Sequence, residues 1–411
     1  MLTGRAWAVL GGGALLWVAS RVLGSPDLHM VAVALIVLVP LAGLLVRATR
    51  HDLAATRRLS ARRVFPGAQV RVDVEVHNHG RRRTSLLLLE DRLPASLGRS
   101  ARAAVADVPL DARRSVGYRL TARGRGRYPI GPLAAWVGDP FDLVRHRIEF
   151  PDRHDLIVYP EIEDLGTLPM AVAAGGAGES STRQLYRSGD EFYTMRHYEL
   201  GDDLRRIHWP SVARTGKLMI RQDEAVRRAQ AAVFLDTRAS ALGDRDEAFE
   251  RAVSAAASIG AHYLRAGFAV RLGTPERPSR PVDRDQFLEL LALIRPSRTG
   301  QITPALRHLR QTVAPGTTLV VVTHIPTSEE VAALSRIGSG YATRLAVLIH
   351  PEEPDRLSIR PRWEADRGAD SSRTSLHRAG WEVLVLRPSS RLRDTWQLRA
   401  NRPGRRIAAS S

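Results

Sequence analysis

"LHMVAVALIVLVPLAGLLV", Leu28–Val46, runs nineteen residues without an Asp, Glu, Lys or Arg. At about 1.5 Å of rise per residue, such a helix crosses a hydrocarbon core of roughly 30 Å. Before it lies "AWAVLGGGALLWVAS", Ala6–Ser20, shorter and rich in glycine. Trp7 and Trp17 suit the membrane–water boundary, and Arg21 is long enough to snorkel to it. A short turn at Gly24–Asp27 joins the two runs, so residues 1–50 read as a transmembrane helical hairpin. A rival reading takes the first run as a cleaved signal peptide, with Arg5 ahead of it and small residues near Val18–Ser20. The second span follows at once, which argues for the hairpin.

Outward from the second span the chain turns basic: Arg47, Arg50, Arg57, Arg58, Arg62 and Arg63. An arginine-rich flank stays on the cytoplasmic side. Both termini and every soluble domain are therefore expected in the cytoplasm, with these arginines resting against anionic lipid. Length and composition agree. The 411 residues leave room for two or three domains with their own cores. There is no Cys, which excludes disulfides, Cys-zinc sites and thiol catalysis. The formal charge of +18 points to an anionic membrane face or to nucleic acid as partner. Lys217 is the only lysine, so a single arginine is weak evidence for two-point chemistry.

From Val64 the pattern changes to period two. In "AQVRVDVEVHNHG", Val70, Val72, Val74 and Val76 share one face, while Gln69, Arg71, Asp73 and Glu75 share the other. Further short strands punctuated by Gly and Pro predict an all-β sandwich over residues 62–160. Residues 161–182, with "AVAAGGAGESS", read as a flexible linker. Beyond Ala231 apolar strands alternate with helices: "AAVFLD", "FAVRLGT", "TTLVVVTHI", "TRLAVLIH" and "GWEVLVLRP". Strands apolar on both faces imply a doubly wound parallel α/β sheet, placed at residues 229–390. Gly267 should stop one helix, and Thr327 with Glu330 should open another as a capping box. Residues 391–411 read as a basic tail.

Between linker and α/β domain, residues 183–228 crowd acids, arginines and aromatics together: "RSGDEFYTMRHYELGDDLRRIHWPSVARTGKLMIRQDE", 187–224. Asp202 or Asp203 can cap a helix "LRRIHWPSVAR", with Pro210 bending or breaking it and Gly216 ending it. If half-buried, the acids and arginines must pair. Trp209 and Tyr198 are the residues to anchor the segment on a neighbouring core. A structural salt-bridge latch and a docking or phosphate-binding surface both fit this composition.

The segment resembles the signature of the DUF58 family, which runs roughly G-x-E-F-x-x-x-R-x-Y-x-x-G-D-x-x-R-x-I-x-W-x-x-x-A-R. Gly189, Glu191, Phe192, Arg196, Tyr198, Gly201, Asp202, Arg205, Ile207, Trp209, Ala213 and Arg214 fill it. "RGRYPIGPLAAWVGDPFDL" upstream is similar to a second family segment ending in Asp-Pro-Phe. The resemblance implies a membrane-anchored, non-catalytic adaptor or assembly factor whose partner is a MoxR-type AAA+ ATPase. It also implies a C-terminal domain similar to von Willebrand factor A domains. In those, D-x-S-x-S after the first strand, a Thr and an Asp hold Mg²⁺. Here the positions read Asp236, Arg238 and Ser240, with Thr299 for the Thr and His324 where the Asp is expected. Arg238 cannot ligate a cation, so it is expected to pair with Asp236 and leave the site metal-free. No cofactor is expected.

Two alternatives remain: a membrane-tethered hydrolase using His208 with Asp202, and a nucleic-acid binder. The sequence holds no G-x-S-x-G, no Walker A loop and no G-x-G-x-x-G after a strand. The positive charge is spread along the chain and heaviest beside the membrane, which argues against nucleic acid. His77 and His79 have metal-ligand spacing, but no further ligand is identifiable and a solvated turn explains them. "GRGR", Gly124–Arg127, reads as a β-turn.

Overall fold

A computed structural model describes residues 1–48, 52–80, 83–84, 86–98, 100–139, 141–166, 193–198, 207, 209–223, 229–242, 246–314, 316–350 and 362–400. The chain divides into two compact units, one built from residues 1–161 and 289–293 and the other from residues 162–288 and 294–411.

The first unit opens with α1 (Gly4–Leu23) and α2 (Pro26–Ala48), which pack as the expected hairpin. Gly24 makes the turn in the left-handed region, φ 67°, and its N–H bonds the Ser20 carbonyl. The buried residues of α1 are small and seven apart: Ala6, Gly13 and Ser20. Ala32, Val39 and Val46 of α2 are buried at the same interval. Small residues let two helices approach closely where lipid supplies no hydrophobic drive. Gly13 shows how closely: a Cβ there would lie 2.9 Å from Ile36 Cγ1. The remaining surface is apolar and exposed, including Trp7, Leu15, Val18, Met30 and Leu44. Both helices are long and apolar enough to cross a membrane.

Three small sheets follow. One holds β1 (Leu53–Leu59), β3 (Gln69–Asn78) and β6 (Arg113–Thr121). A second holds β2 (Arg63–Val64), β10 (His154–Val158) and β7 (Gly126–Ile130). The third orders β5 (Ser100–Val105), β4 (Leu87–Arg92), β8 (Leu133–Gly138) and β9 (Arg145–Phe150). All pairings are antiparallel except β2 with β10. Val70, Val72, Val74 and Val76 enter one core with Leu87, Leu89, Leu120, Leu133 and Leu156, as their alternation predicts.

The strands begin at Leu53, earlier than residue 62, and this corrects the reading of the post-span arginines. Arg57 does not rest on lipid; it is buried in β1. Its Nε and one terminal nitrogen donate to the two Asp91 oxygens at 2.8 and 2.7 Å. Its other terminal nitrogen donates to the Ile130 and Asp152 carbonyls, and Tyr118 Oη donates to Asp91 at 2.6 Å. Each side chain of the Arg57–Asp91 pair is 2% exposed, so losing one partner strands a buried charge at a cost of about 3–5 kcal/mol.

In the second unit, β11 (Tyr193–His197) pairs antiparallel with β12 (Met219–Asp223), and α3 (Trp209–Thr215) lies between them in the chain. A six-stranded sheet follows, ordered β15-β14-β13-β16-β17-β18. Its strands are β13 (Gln230–Leu235), β14 (Ala269–Gly273), β15 (Arg280–Val282), β16 (Thr318–His324), β17 (Thr343–Ile349) and β18 (Glu382–Leu386). All are parallel except the β15 edge, a strand the apolar pattern does not announce. The helices are α4 (Ala239–Leu242), α5 (Asp246–Arg265), α6 (Arg284–Leu293), α7 (Ile302–Thr312), α8 (Ser328–Gly338), α9 (Arg362–Arg378) and α10 (Leu392–Ala400). After α5 the Phe268 N–H bonds the Tyr263 carbonyl, with Gly267 at φ 82°, the stop its position predicts.

Two boundaries shift. Residues 392–400 are not tail but helix, with Leu392 and Trp396 buried. The start of the supposed linker is tied down too: Leu165 is buried, and the Glu163 carboxylate accepts the Leu392 and Arg393 N–H groups that open α10. Residues 167–182 and 401–411 lie outside the described residues.

Candidate functional site

In a doubly wound sheet, ligands bind beyond the carboxyl ends of the strands, where the winding reverses. Here that point lies between β13 and β16, which pair side by side. Asp236 ends the first strand and His324 the second. The structure closes this crevice with charge. Arg238 grips Asp236 by two parallel bonds, Nε to Oδ1 and a terminal nitrogen to Oδ2, each 2.8 Å. Its backbone N–H also reaches Oδ1, and Thr323 Oγ1 donates to Oδ2 at 2.7 Å. The same guanidinium donates to Glu330 Oε1 at 2.7 Å. His324 bridges the two acids, 3.7 Å from Asp236 Oδ2 and 3.3 Å from Glu330 Oε2. Glu330 also completes the α8 capping box, accepting the Thr327 N–H at 2.9 Å.

Two acids, a guanidinium and an imidazole thus form a closed quartet. Burial alone would raise the Asp236 carboxyl, but Arg238, His324 and Thr323 outweigh it and hold the group far below the usual carboxylate range. Burial opposes ionisation of Glu330 as well; His324, the Thr327 N–H and Arg238 bring it down to about 2. Burial disfavours the charged imidazole of His324, yet the two carboxylates raise it above its ordinary value. These residues do not fit a divalent cation. Both Asp236 oxygens are taken by the chain's own donors, and a positive side chain sits where a metal would need to approach.

The other positions of the D-x-S-x-S comparison fall nearby without joining the quartet. Ser240 is exposed on the four-residue α4. Thr299 bonds Ser297, whose backbone pairs with Thr237 and Ala239. Thr237 and Thr274 hydroxyls both donate to Glu276 Oε2, at 2.6 and 3.1 Å. Glu330 carried only a capping signal in the sequence, and Thr323 carried none.

The signature segment is described in part. Gly189, Glu191, Phe192, Gly201, Asp202, Arg205 and His208 lie outside the described residues, and so does the expected pairing of its acids with its arginines. Arg196 falls in β11. Tyr198 is half-buried, its N–H bonding the Leu218 carbonyl at 3.0 Å, and Ile207 is buried. Ala213 and Arg214 are exposed on α3. Two expectations change. Pro210 does not bend a helix; it sits in the first turn of α3, where its missing N–H costs nothing. Trp209 does not anchor on a core; it is 65% exposed. Gly216 ends the helix as expected, at φ 66° with its N–H on the Val212 carbonyl.

The histidine pair acquires a neighbour. Asp111 Oδ1 lies 3.0 Å from His77 Nε2, and ligand atoms of His77, His79 and Asp111 fall within 4.8 Å of one another. The contact is already made as a hydrogen bond, and Asp111 faces water.

Part of the chain is similar to known proteins. The uncharacterized protein YeaD of Bacillus subtilis (strain 168) is 26% identical over 332 residues, 77% of this chain and 80% of its own. The CARDB domain of PF1109 from Pyrococcus furiosus, solved with di-metal ions, is 15% identical and covers 26% of this chain and 93% of its own, with a TM-score of 0.19. The C-terminal domain of wzt is 10% identical and covers 29% of this chain and 80% of its own, with a TM-score of 0.22. At those TM-scores neither solved structure carries an argument. Residues 194–358, from the signature through β13 and β16 to the end of β17, match the family described as "Protein of unknown function DUF58". Residues 194–358 thus carry the match to the DUF58 family, and the relative YeaD extends the similarity over 77% of the chain.

Proposed function

We propose that this protein is a non-catalytic adaptor or assembly factor held in the cell membrane by the α1–α2 hairpin. Both termini and the soluble regions face the cytoplasm. The β-rich region is read as a sandwich and residues 229–390 as a von Willebrand factor A-like domain. The partner is a MoxR-type AAA+ ATPase.

The observation that carries this reading is Trp209. A tryptophan of the family signature stands 65% exposed on α3, beside exposed Ala213 and Arg214. Exposed aromatic and arginine side chains are the groups that dominate protein–protein binding energy. The closed quartet at the switch point supports the non-catalytic half of the proposal. Asp236, Glu330 and His324 already neutralise one another and Arg238, so none of them is free to move a substrate proton.

Affinity purification of the full chain from detergent-solubilised membranes, followed by mass spectrometry, tests it. A MoxR-type ATPase should be recovered with the wild-type chain. Trp209→Ala should cut that recovery by about tenfold or more with no change in melting temperature. Equal recovery by wild type and variant, or no ATPase at all, overturns the reading.

A further inference from the structure

Among the described residues of the loop joining β8 to β9, most backbone polar groups are paired and an apolar side chain is turned outward. The Asp139 carboxylate accepts the N–H groups of Phe141 and Leu143 at 2.8 Å each, and that of Val144. The Asp142 N–H bonds the Asp139 carbonyl, and the Asp139 N–H bonds the Val144 carbonyl, at 3.0 and 3.2 Å. Residues ahead of α1 close the rest. Thr3 Oγ1 donates to the Asp142 carbonyl at 2.6 Å and its N–H to the Leu143 carbonyl at 2.9 Å. The Arg145 N–H bonds the Met1 carbonyl at 2.9 Å. A turn in water does not need this closure, because water satisfies loose N–H and C=O groups. A segment that enters lipid does. Both carboxylates of the loop are matched: Asp139 by the loop's own N–H groups, and Asp142 by Arg145 at 2.7 and 2.9 Å, with Arg5 at 3.6 Å.

Depth follows from the contacts. Leu143 is buried among Ala6, Val39 and Ala42 of the hairpin, with Val144 packed alongside. Arg5 and Arg47 mark the charged level at this end of the two helices. Ala42 and Val39 lie about 8 and 12 Å along α2 from Arg47 at 1.5 Å per residue. Interfacial anchors rest about 5–10 Å into the boundary between headgroups and acyl chains. Phe141, next to Leu143, is 60% exposed. Leu86 and Leu110 are also more than half exposed and lie at the same end, Leu87 pairing with both Val105 and Val137. There the Asn78 side chain and the Thr84 N–H both bond the Val108 carbonyl, and β1 begins opposite Asn78.

We propose that the β8–β9 loop is a bilayer anchor, with the Phe141 ring in the headgroup–acyl boundary and the Leu86 and Leu110 side chains resting on the lipid surface. The proposal rests on the hairpin spanning the membrane. It makes the β-rich region a platform seated on the bilayer instead of a body swinging on its tether.

The absence of cysteine allows one nitroxide to be placed at a time on the full chain. Three variants are reconstituted into phosphatidylcholine–phosphatidylglycerol vesicles: Phe141→Cys, Leu15→Cys on the exposed face of α1, and Ser96→Cys in the exposed β4–β5 turn at the opposite end of the region. Power saturation compares collision with oxygen, which concentrates in lipid, and with a water-soluble nickel chelate. Leu15→Cys should favour oxygen and Ser96→Cys the chelate. Phe141→Cys should favour oxygen, reversing the order seen at Ser96→Cys. If Leu15→Cys favours oxygen while Phe141→Cys follows Ser96→Cys, loop insertion alone is overturned. If Leu15→Cys favours the chelate, the membrane-spanning reading falls and the anchor with it.

Discussion

Arg238 shows how one side chain changes the chemistry of a crevice. A serine at that position would leave the Asp236 oxygens open; the guanidinium fills them and reaches Glu330 as well. Asp236 has no exposed surface, so Arg238→Met should destabilise the second unit by about 3–5 kcal/mol, the usual consequence of stranding a buried charge. Denaturant unfolding of the purified chain in detergent measures this. Adding Asp236→Asn should recover part of the loss, because the stranded charge is then gone; purely additive losses would contradict the pairing. The quartet also fixes a pH profile. Glu330 and Asp236 have folded pKa values below their unfolded ones. Their contribution is present above roughly pH 4 and disappears as pH falls through the folded values, about 2 for Glu330. His324 is raised, so its contribution is complete below roughly pH 6.5 and lost as pH climbs through the folded value. Melting temperatures of wild type and His324→Gln from roughly pH 5 to 9 should show the alkaline decline in the wild type alone. Of these residues, Asp236, Arg238 and His324 were singled out only through the resemblance to von Willebrand factor A domains, by the positions they fill in its D-x-S-x-S pattern. Glu330 was legible only as a helix cap and Thr323 not at all, since nothing local tells which strand will lie beside β13.

At the scale of elements, α5 and α6 meet through a glycine. A Cβ on Gly260 would stand 2.1 Å from Phe287 Cζ, and Phe287 is fully buried. Alanine improves helix propensity by about 1 kcal/mol. Overpacking a filled core costs about 1–3 kcal/mol, and with a ring locked in place the upper half of that range applies. Gly260→Ala should therefore lower stability overall, and a rise in melting temperature would refute the close approach. The helices and parallel strands themselves were legible. Thr318–Val322 is buried along its whole length, which its unbroken apolar run announces, and the capping box at Thr327 is formed. The three-residue β15 was not legible, because an edge strand with one apolar residue carries no periodic signal. α3 was misjudged from Pro210: read as a break inside a longer helix, it opens a short one.

For the whole molecule, the hairpin and its arginine flank set an orientation that labelling can check. Asp27 sits in the first turn of α2, at the end of the hairpin where the two spans join, and Ser96 in a strand turn of the β-rich region. In intact cells a membrane-impermeant maleimide should label Asp27→Cys and spare Ser96→Cys; the opposite pattern would invert the topology. The sequence by itself determined what depends on neighbours along the chain. The two apolar spans, the Val70–Val76 face and the parallel core strands all follow from a hydrophobic period that a helix or strand imposes locally. Tertiary structure alone decided which distant polar groups meet: Arg57 with Asp91, Arg238 with Glu330, and the Thr3 hydroxyl with the β8–β9 loop. A burial pattern states that a face is covered but not by what. Partners that lie 34, 92 and 139 residues apart are chosen by sheet order and register, and these exist only once the chain has folded.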